Sequence, residues 1–238
     1  MPRELLIVTD NPGKMREYRA LLADLPAQLR FPADLGRRIK VEEVGATYAE
    51  NAALKARAGV EASGLLSLAD DSGLEVDALG GEPGIRSARY IPGSDADRIA
   101  ALLARMDSVP WEQRTARFRC CIAIMTPEGA MYTAEGTCEG VIACVPMGTG
   151  GFGYDPVFYI PEFSCTMAQL SPEVKNRISH RARAVEAARP ILWRLLLEDT
   201  DPRGPTRAST LPLPFLSLLP PQSGAGFFLS FLTCNYLS

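Results

Sequence analysis

The sequence predicts an α/β domain built on a mixed central sheet with flanking helices. Three observations carry this. Helical patterns bracket the chain, at 12–23 and 170–198, and a third lies between them at 47–63. The middle, 66–142, is rich in β-like runs. The composition is that of a chain with a full core: 47% of the 238 residues are apolar and 22% charged.

The elements follow in order. "RELLIVT" reads as a buried strand, and Pro12 suits the first turn of a helix running to about Ala23. "RRIKVEEVG" is a second strand candidate. In "TYAENAALKARAGVEAS", Thr47 caps a helix with Glu50 three residues on, and Gly64 ends it. "LLSLADDSGLEVDAL" reads as a strand, a tight acidic turn and a short strand. "SDADRIAALLARM" is an amphipathic helix capped by Ser94 or Asp95. "ARFRCCIAIMT" and "AMYTAEGTCEGVIACV" form a hairpin through "PEGA". "LSPEVKNRISHRARAVEAARPILWRLLLE" is helical, and Pro190 is expected to kink or divide it. There is no internal repeat.

After Glu198 the composition changes. From Ala208 to Ser238 there is no charged residue, and four prolines break the apolar runs. The domain is therefore expected to occupy 1–198, followed by an uncharged tail over 199–238 that is expected to be disordered. Its longest apolar piece, "FFLSFLTCNYL", is too short to span a bilayer.

Composition also removes functions. A net charge of −3 offers no general attraction for nucleic acid, so an anionic substrate needs a local cluster of cations. His180 is the only histidine, and the six cysteines form no C-x-x-C, which argues against zinc. With no apolar leader, a reducing cytoplasm and no membrane partner are expected. The chain has 21 arginines but only four lysines: Lys14, Lys40, Lys55 and Lys175. Positions that keep lysine can need a compact ammonium rather than a flat fork, although chance explains any one of them.

Five stretches carry possible chemistry. "TDNPGKM" has the strand–loop–lysine–helix order of a phosphate loop, but Met15 stands where the Walker pattern needs Ser or Thr. In "ADDSG", Asp70 and Asp71 repel each other unless a divalent cation such as Mg²⁺ joins them; a solvated Asp-rich turn is the plainer alternative. Glu42 and Glu43 make a second acidic pair. On the helix "AENAALKA", Asn51 and Lys55 share a face as an ordinary exposed pair would. "GTGGFGYD" contains G-x-G-x-x-G, but "DPVFYIP" follows instead of a helix, which disfavours a Rossmann site. Such a loop can still admit a flat base, with Phe152 or Tyr154 stacking on it.

Taken together, "TDNPGK", "EEVGATYAENAALKA", "LADDSGLEVDALGGEPGIRSARY", "GTGGFGYDPVF" and "KNRISHRARA" resemble, in order and spacing, the inosine/xanthosine triphosphate pyrophosphatases. The resemblance covers about residues 3 to 198. It implies a homodimeric enzyme with two lobes around a cleft, hydrolysing ITP, dITP and XTP with Mg²⁺. It implies that Thr9, Asn11 and Lys14 grip the triphosphate, with Lys55 on the phosphate side and Ser72 a substrate contact. Glu42 and Asp71, with Asp70 beside them, resemble the metal positions, and Asp71 the proton acceptor. Phe152, Gly153, Tyr154 and Asp155 resemble the base-binding segment, and Lys175, His180 and Arg181 the contacts to a 6-oxo purine. Asp10 departs from the glycine often found there and is expected to point away from the phosphates. A pyrophosphatase for modified pyrimidine nucleotides, or a nucleotide sensor without turnover, are the competing readings.

Overall fold

The computed structural model describes residues 3–197. Seven strands form one mixed sheet in the order β2-β1-β3-β4-β5-β6-β7. In chain order the elements are β1 (Arg3–Ile7), α1 (Pro12–Leu21), β2 (Ala27–Arg30), α2 (Tyr48–Ser63), β3 (Leu66–Val76), α3 (Asp95–Arg105), β4 (Thr115–Met125), β5 (Met131–Ile142), β6 (Phe158–Ile160), β7 (Cys165–Thr166), α4 (Pro172–Ile178) and α5 (His180–Leu197). β1 pairs parallel with β2 and β3, and the remaining neighbours are antiparallel.

β3 and β4 run through two cores, which accounts for two lobes. Leu68 of β3 and Ile122 and Ile124 of β4 pack with α1 and α5, while Ala69 and Ala123 on the opposite side pack with Ala52 and Ala56 of α2. Further along, Leu74, Val76, Ala116 and Phe118 join Ile99 and Leu102 of α3 in the second core. The stretch Asp70–Gly73 lies where one core gives way to the other.

The helix ends follow the sequence closely. Asn11 Oδ1 accepts the Lys14 N–H at 3.0 Å, and Pro12 fills the first turn of α1. Thr47 Oγ1 accepts from Glu50 N, and Glu50 Oε2 in turn accepts from Ala46 N, one residue earlier than a standard capping box. Ser94, not Asp95, caps α3. Thr126 and Ala130 close the β4–β5 hairpin.

Three expectations are corrected. Residues 37–45 form no strand; the place beside β1 belongs to Ala27–Arg30. The segment is instead fastened to α2, where Arg37 donates to the Ala62 carbonyl and Asn51 Oδ1 accepts from Gly45 N. "LADDSGLEV" contains no turn. It is one continuous strand, every residue from Ser67 to Val76 paired with β4, because the two aspartates find cations and need no solvent. The long C-terminal helix divides at Ser179, not at Pro190. Ser179 has extended backbone (φ −65°, ψ 157°), and its Oγ accepts from Ala182 N at 3.2 Å, so it caps α5 from within the sequence. α5 continues through Pro190. The tail expected over 199–238 lies outside the described residues.

α5 rests directly on β5. A Cβ on Gly136 would stand 2.2 Å from the His180 carbonyl oxygen and 2.3 Å from Ala184 N, both backbone atoms that cannot swing aside. Gly136→Ala should therefore lower stability by ~1–3 kcal/mol, read as a shifted urea midpoint at unchanged slope. An unshifted midpoint would mean that α5 is not seated as described.

Candidate functional site

A cavity of about 830 Å³ opens along the middle of β3 and is lined from nearly every part of the domain. All the site residues expected from sequence line it. Thr9, Asn11 and Lys14 come from the β1–α1 elbow, Glu42 from the strap 37–46 and Lys55 from α2. Asp70, Asp71 and Ser72 come from β3. Phe152, Gly153, Tyr154 and Asp155 come from the glycine-rich loop, Lys175 from α4, and His180 and Arg181 from α5.

Its floor is a buried string of alternating charges. Lys14 Nζ lies 2.9 Å from Asp70 Oδ2, which also accepts from Arg181 at 3.0 Å. Arg181 reaches Glu17 with its other terminal nitrogen and Ser72 Oγ at 3.0 Å. Glu17 also holds Lys175 at 2.8 Å, and Lys175 meets Asp155. Burial opposes ionisation of Asp70, but Lys14, Arg181 and Lys55 outweigh it and hold the carboxyl far below its ordinary value. Burial likewise opposes the charge on Glu17, and Arg181 and Lys175 keep its carboxyl low. Burial lowers the Lys14 ammonium against the pull of Asp70.

A second cluster lies on the α2 side. Lys55 Nζ bonds Asp71 Oδ1 at 2.8 Å and Glu43 at 2.9 Å, and Glu43 also takes Arg89. Burial works against the Lys55 charge, yet Asp71, Asp70 and Glu43 raise its pKa above the ordinary value. Asn51 donates to Asp71 Oδ2 at 3.3 Å. Asn51 and Lys55 are thus not the ordinary exposed pair that their spacing suggests; Asn51 is 0% exposed.

Of the two glutamates, Glu43 is engaged, while Glu42 is exposed, lines the cavity and has no side-chain partner among the described residues. No group of three or more His, Cys, Asp or Glu stands poised around one point among those residues. Mg²⁺ takes one or two carboxylates and completes its shell with water and substrate phosphates. An all-oxygen pair, Glu42 and Asp71, fits that demand. Asp10 is exposed and also lines the cavity.

At the other end, Phe152 lies against α1. A Cβ on Gly13 would sit 2.3 Å from its ring, so the glycine is what admits it. Lys175 and Arg181 lie over the same ring, at 4.8 and 5.7 Å. Tyr154 is 4% exposed with its hydroxyl on the Ser87 carbonyl, so Phe152 is the aromatic with a half-exposed face to offer a base. Asp155 accepts the Phe152 N–H, and Asp95 of α3 accepts that of Gly153, at 2.7 Å. His180 stacks on Phe118 with centroids 4.7 Å apart. His180 Nδ1 and Arg181 Nε are buried without a hydrogen-bond partner.

The sequence reading missed Glu17, Glu43 and Asp95. Glu17 stands three residues after Lys14 on α1, a spacing that puts both on one face, and that was the available signal. Nothing in the sequence ties Glu43 to Arg89 or Asp95 to Gly153, which lie 46 and 58 residues apart.

Residues 5–191 match the family model of the Ham1 family. The chain is 51% identical over 185 residues to the dITP/XTP pyrophosphatase of Geobacillus kaustophilus, covering 77% of this chain and 91% of that one. It is 50% identical over 196 residues to that of Desulforamulus reducens, covering 82% and 98%. Among solved structures, the Ham1 protein of Staphylococcus aureus superposes with a TM-score of 0.71 at 41% identity, covering 80% of this chain and 98% of that one. The nucleoside-triphosphatase / dITP/XTP pyrophosphatase of Mycobacterium abscessus does so at 0.64 and 42%, covering 79% and 99%.

Burial, then the nearby Arg181 and Lys175, push the His180 imidazole well below its ordinary pKa, so it is neutral in the native state. The unfolded chain protonates it near pH 6.5. Stability should therefore fall as pH drops below about 6.5, by up to ~1.4 kcal/mol per unit, until the native pKa is reached. As His180 is the only histidine, the difference in slope between wild type and His180→Gln, from urea melts at pH 5–7.5, isolates the effect. Equal slopes would show that His180 takes up its proton equally in the folded and unfolded chain.

Proposed function

The chain belongs to the Ham1 family, and on that footing we propose that it hydrolyses ITP, dITP and XTP to the monophosphate and pyrophosphate, with Mg²⁺. The observation that carries this is the convergence on one cavity of phosphate-binding cations, a carboxylate pair and two unsatisfied nitrogens. Lys14 sits at the N-terminus of α1, where backbone N–H groups and the helix dipole also favour an anion. Lys14 and Lys55 stabilise charge developing on the phosphates from positions fixed by their carboxylate partners. Glu42 and Asp71 would hold the magnesium ion, which supplies further neutralisation at the phosphate oxygens. Asp71, oriented by Lys55 and Asn51, accepts the proton of the attacking water.

The base is read at the other end. Phe152 offers a face for stacking. Arg181 Nε–H, a buried donor with no partner, would pair with an acceptor such as the 6-oxo group of hypoxanthine or xanthine once the guanidinium turns toward the base. His180 Nδ1 is the second unmatched nitrogen; as the donor tautomer it adds to the same preference. Adenine presents an amino donor at that edge and leaves both groups unmatched, a costly arrangement in a buried site. The same reading takes the enzyme as a cytoplasmic homodimer that binds neither nucleic acid nor membrane. The net charge of −3 supports the lack of nucleic-acid binding; among the described residues no helix is long and apolar enough to cross a bilayer.

Pyrophosphate release from a nucleotide panel is the test. ITP, dITP and XTP should be turned over far faster than ATP or modified pyrimidine triphosphates, and excess chelator should abolish release. Equal rates across the panel would refute the donor-edge argument, and binding without release would make the protein a sensor. Asp71→Asn should lower kcat by ~10²–10⁴-fold with a modest change in affinity. Near-wild-type turnover would remove Asp71 from the role of base.

A further inference from the structure

We propose that Asp70 is a positioning residue that couples base recognition to phosphate placement, and that it is not a ligand of the metal. The inference rests on the reading of the cavity as a nucleoside triphosphate site and assigns one residue within it. Asp70 and Asp71 are neighbours on a strand, so their side chains leave opposite faces. Asp71 faces α2, where it meets Lys55 and Asn51. Asp70 faces α1 and α5, and its Oδ2 is shared between Lys14 at 2.9 Å and Arg181 at 3.0 Å. The residue is 2% exposed, and Oδ1 is buried with no partner.

Two consequences follow. A metal ion could reach Asp70 only through an oxygen closed to solvent, or by displacing two cations from the other oxygen. Glu42 is exposed, and Asp71, although buried, holds one cation and not two, Lys55 on Oδ1, with the neutral Asn51 on Oδ2. Meanwhile one carboxylate oxygen holds both Lys14 and the arginine whose unmatched Nε–H, closed to solvent like Asp70 Oδ1, a base reaches only when the guanidinium shifts. A base that satisfies Arg181 therefore moves and then fixes the guanidinium, and through Asp70 it does the same to the ammonium of Lys14. Recognition energy gained at the purine is thereby expressed at the reacting phosphates, which is how it raises kcat and not affinity alone.

The test compares wild type, Asp70→Asn and Glu42→Gln in two measurements. One is Mn²⁺ binding, followed by the paramagnetic resonance of free Mn²⁺, with and without the non-hydrolysable α,β-methylene analogue of ITP. The other is steady-state turnover of ITP and ATP with Mg²⁺. Mn²⁺ binding should be nearly unchanged in Asp70→Asn and weakened about tenfold or more in Glu42→Gln. In Asp70→Asn, kcat for ITP should fall about tenfold with little change in KM, and the preference for ITP over ATP should narrow. Mn²⁺ binding that weakens in Asp70→Asn as it does in Glu42→Gln overturns the inference. So does an equal proportional loss for ITP and ATP. If thermal melts show that Asp70→Asn does not fold, the charge-balanced Lys14→Met, Asp70→Asn double variant carries the metal measurement, and weakened binding there overturns the inference as well. A wild type that releases no pyrophosphate from ITP would defeat the functional reading, while the Mn²⁺ comparison would still decide the place of Asp70.

Discussion

Everything at the site depends on keeping charged groups buried where the two cores meet. A lone buried charge is costly enough that a side chain changes protonation state instead, so a buried charge needs opposite charge beside it. Lys14, Asp70, Arg181, Glu17, Lys175 and Asp155 form one alternating string, in which the four inner members have opposite charge on two sides and the ends, Lys14 and Asp155, on one. The string ties α1, β3, α4, α5 and the glycine-rich loop together, so its electrostatics fix the relative placement of elements far apart in the chain. The result is a cleft whose cations are already aimed before a polyanion arrives, which is the condition under which fixed charges act most strongly on a reacting group.

The backbone serves the same end. β3 can carry two aspartates through a buried sheet because its faces alternate, sending one carboxylate to α1 and α5 and the other to α2. Gly13 lets an aromatic ring lie against the first turn of α1, and Gly136 lets α5 settle on β5 so that His180 and Arg181 enter the cavity from its first turn. The break at Ser179 sets where that turn begins. Without it, a single straight helix would place Lys175 and Arg181 by helical spacing alone.

Much of this was legible in sequence because it is local. Pro12, Thr47 with Glu50, and Gly64 each act within one turn, and the start of α1 and both ends of α2 were read from them. The strap at 37–45 was misread because "RRIKVEEV" alternates like a strand while its fate is settled by contacts to α2. "ADDSG" was misread for a related reason. Paired aspartates suggest a solvated turn unless cations from residues 14, 55 and 181 are supplied, and no local rule supplies them. The resemblance gathered residues that all line one cavity, but it could not show that Asp70 and Asp71 face opposite ways. Glu17 escaped notice because a glutamate in an amphipathic helix looks like surface until its partners are known.

The lysines show how far composition alone can reach. In a chain with 21 arginines, all four lysines line the cavity. Three of them, Lys14, Lys55 and Lys175, sit among carboxylates in spaces that suit a compact ammonium able to divide its donors between two partners, as Lys55 does between Asp71 and Glu43. Arg181 stands where a fork is needed instead, one terminal nitrogen on Glu17 and the other shared by Asp70 and Ser72. The division between the two residue types here follows the geometry of the carboxylate partners, point-like at the lysines and planar at Arg181.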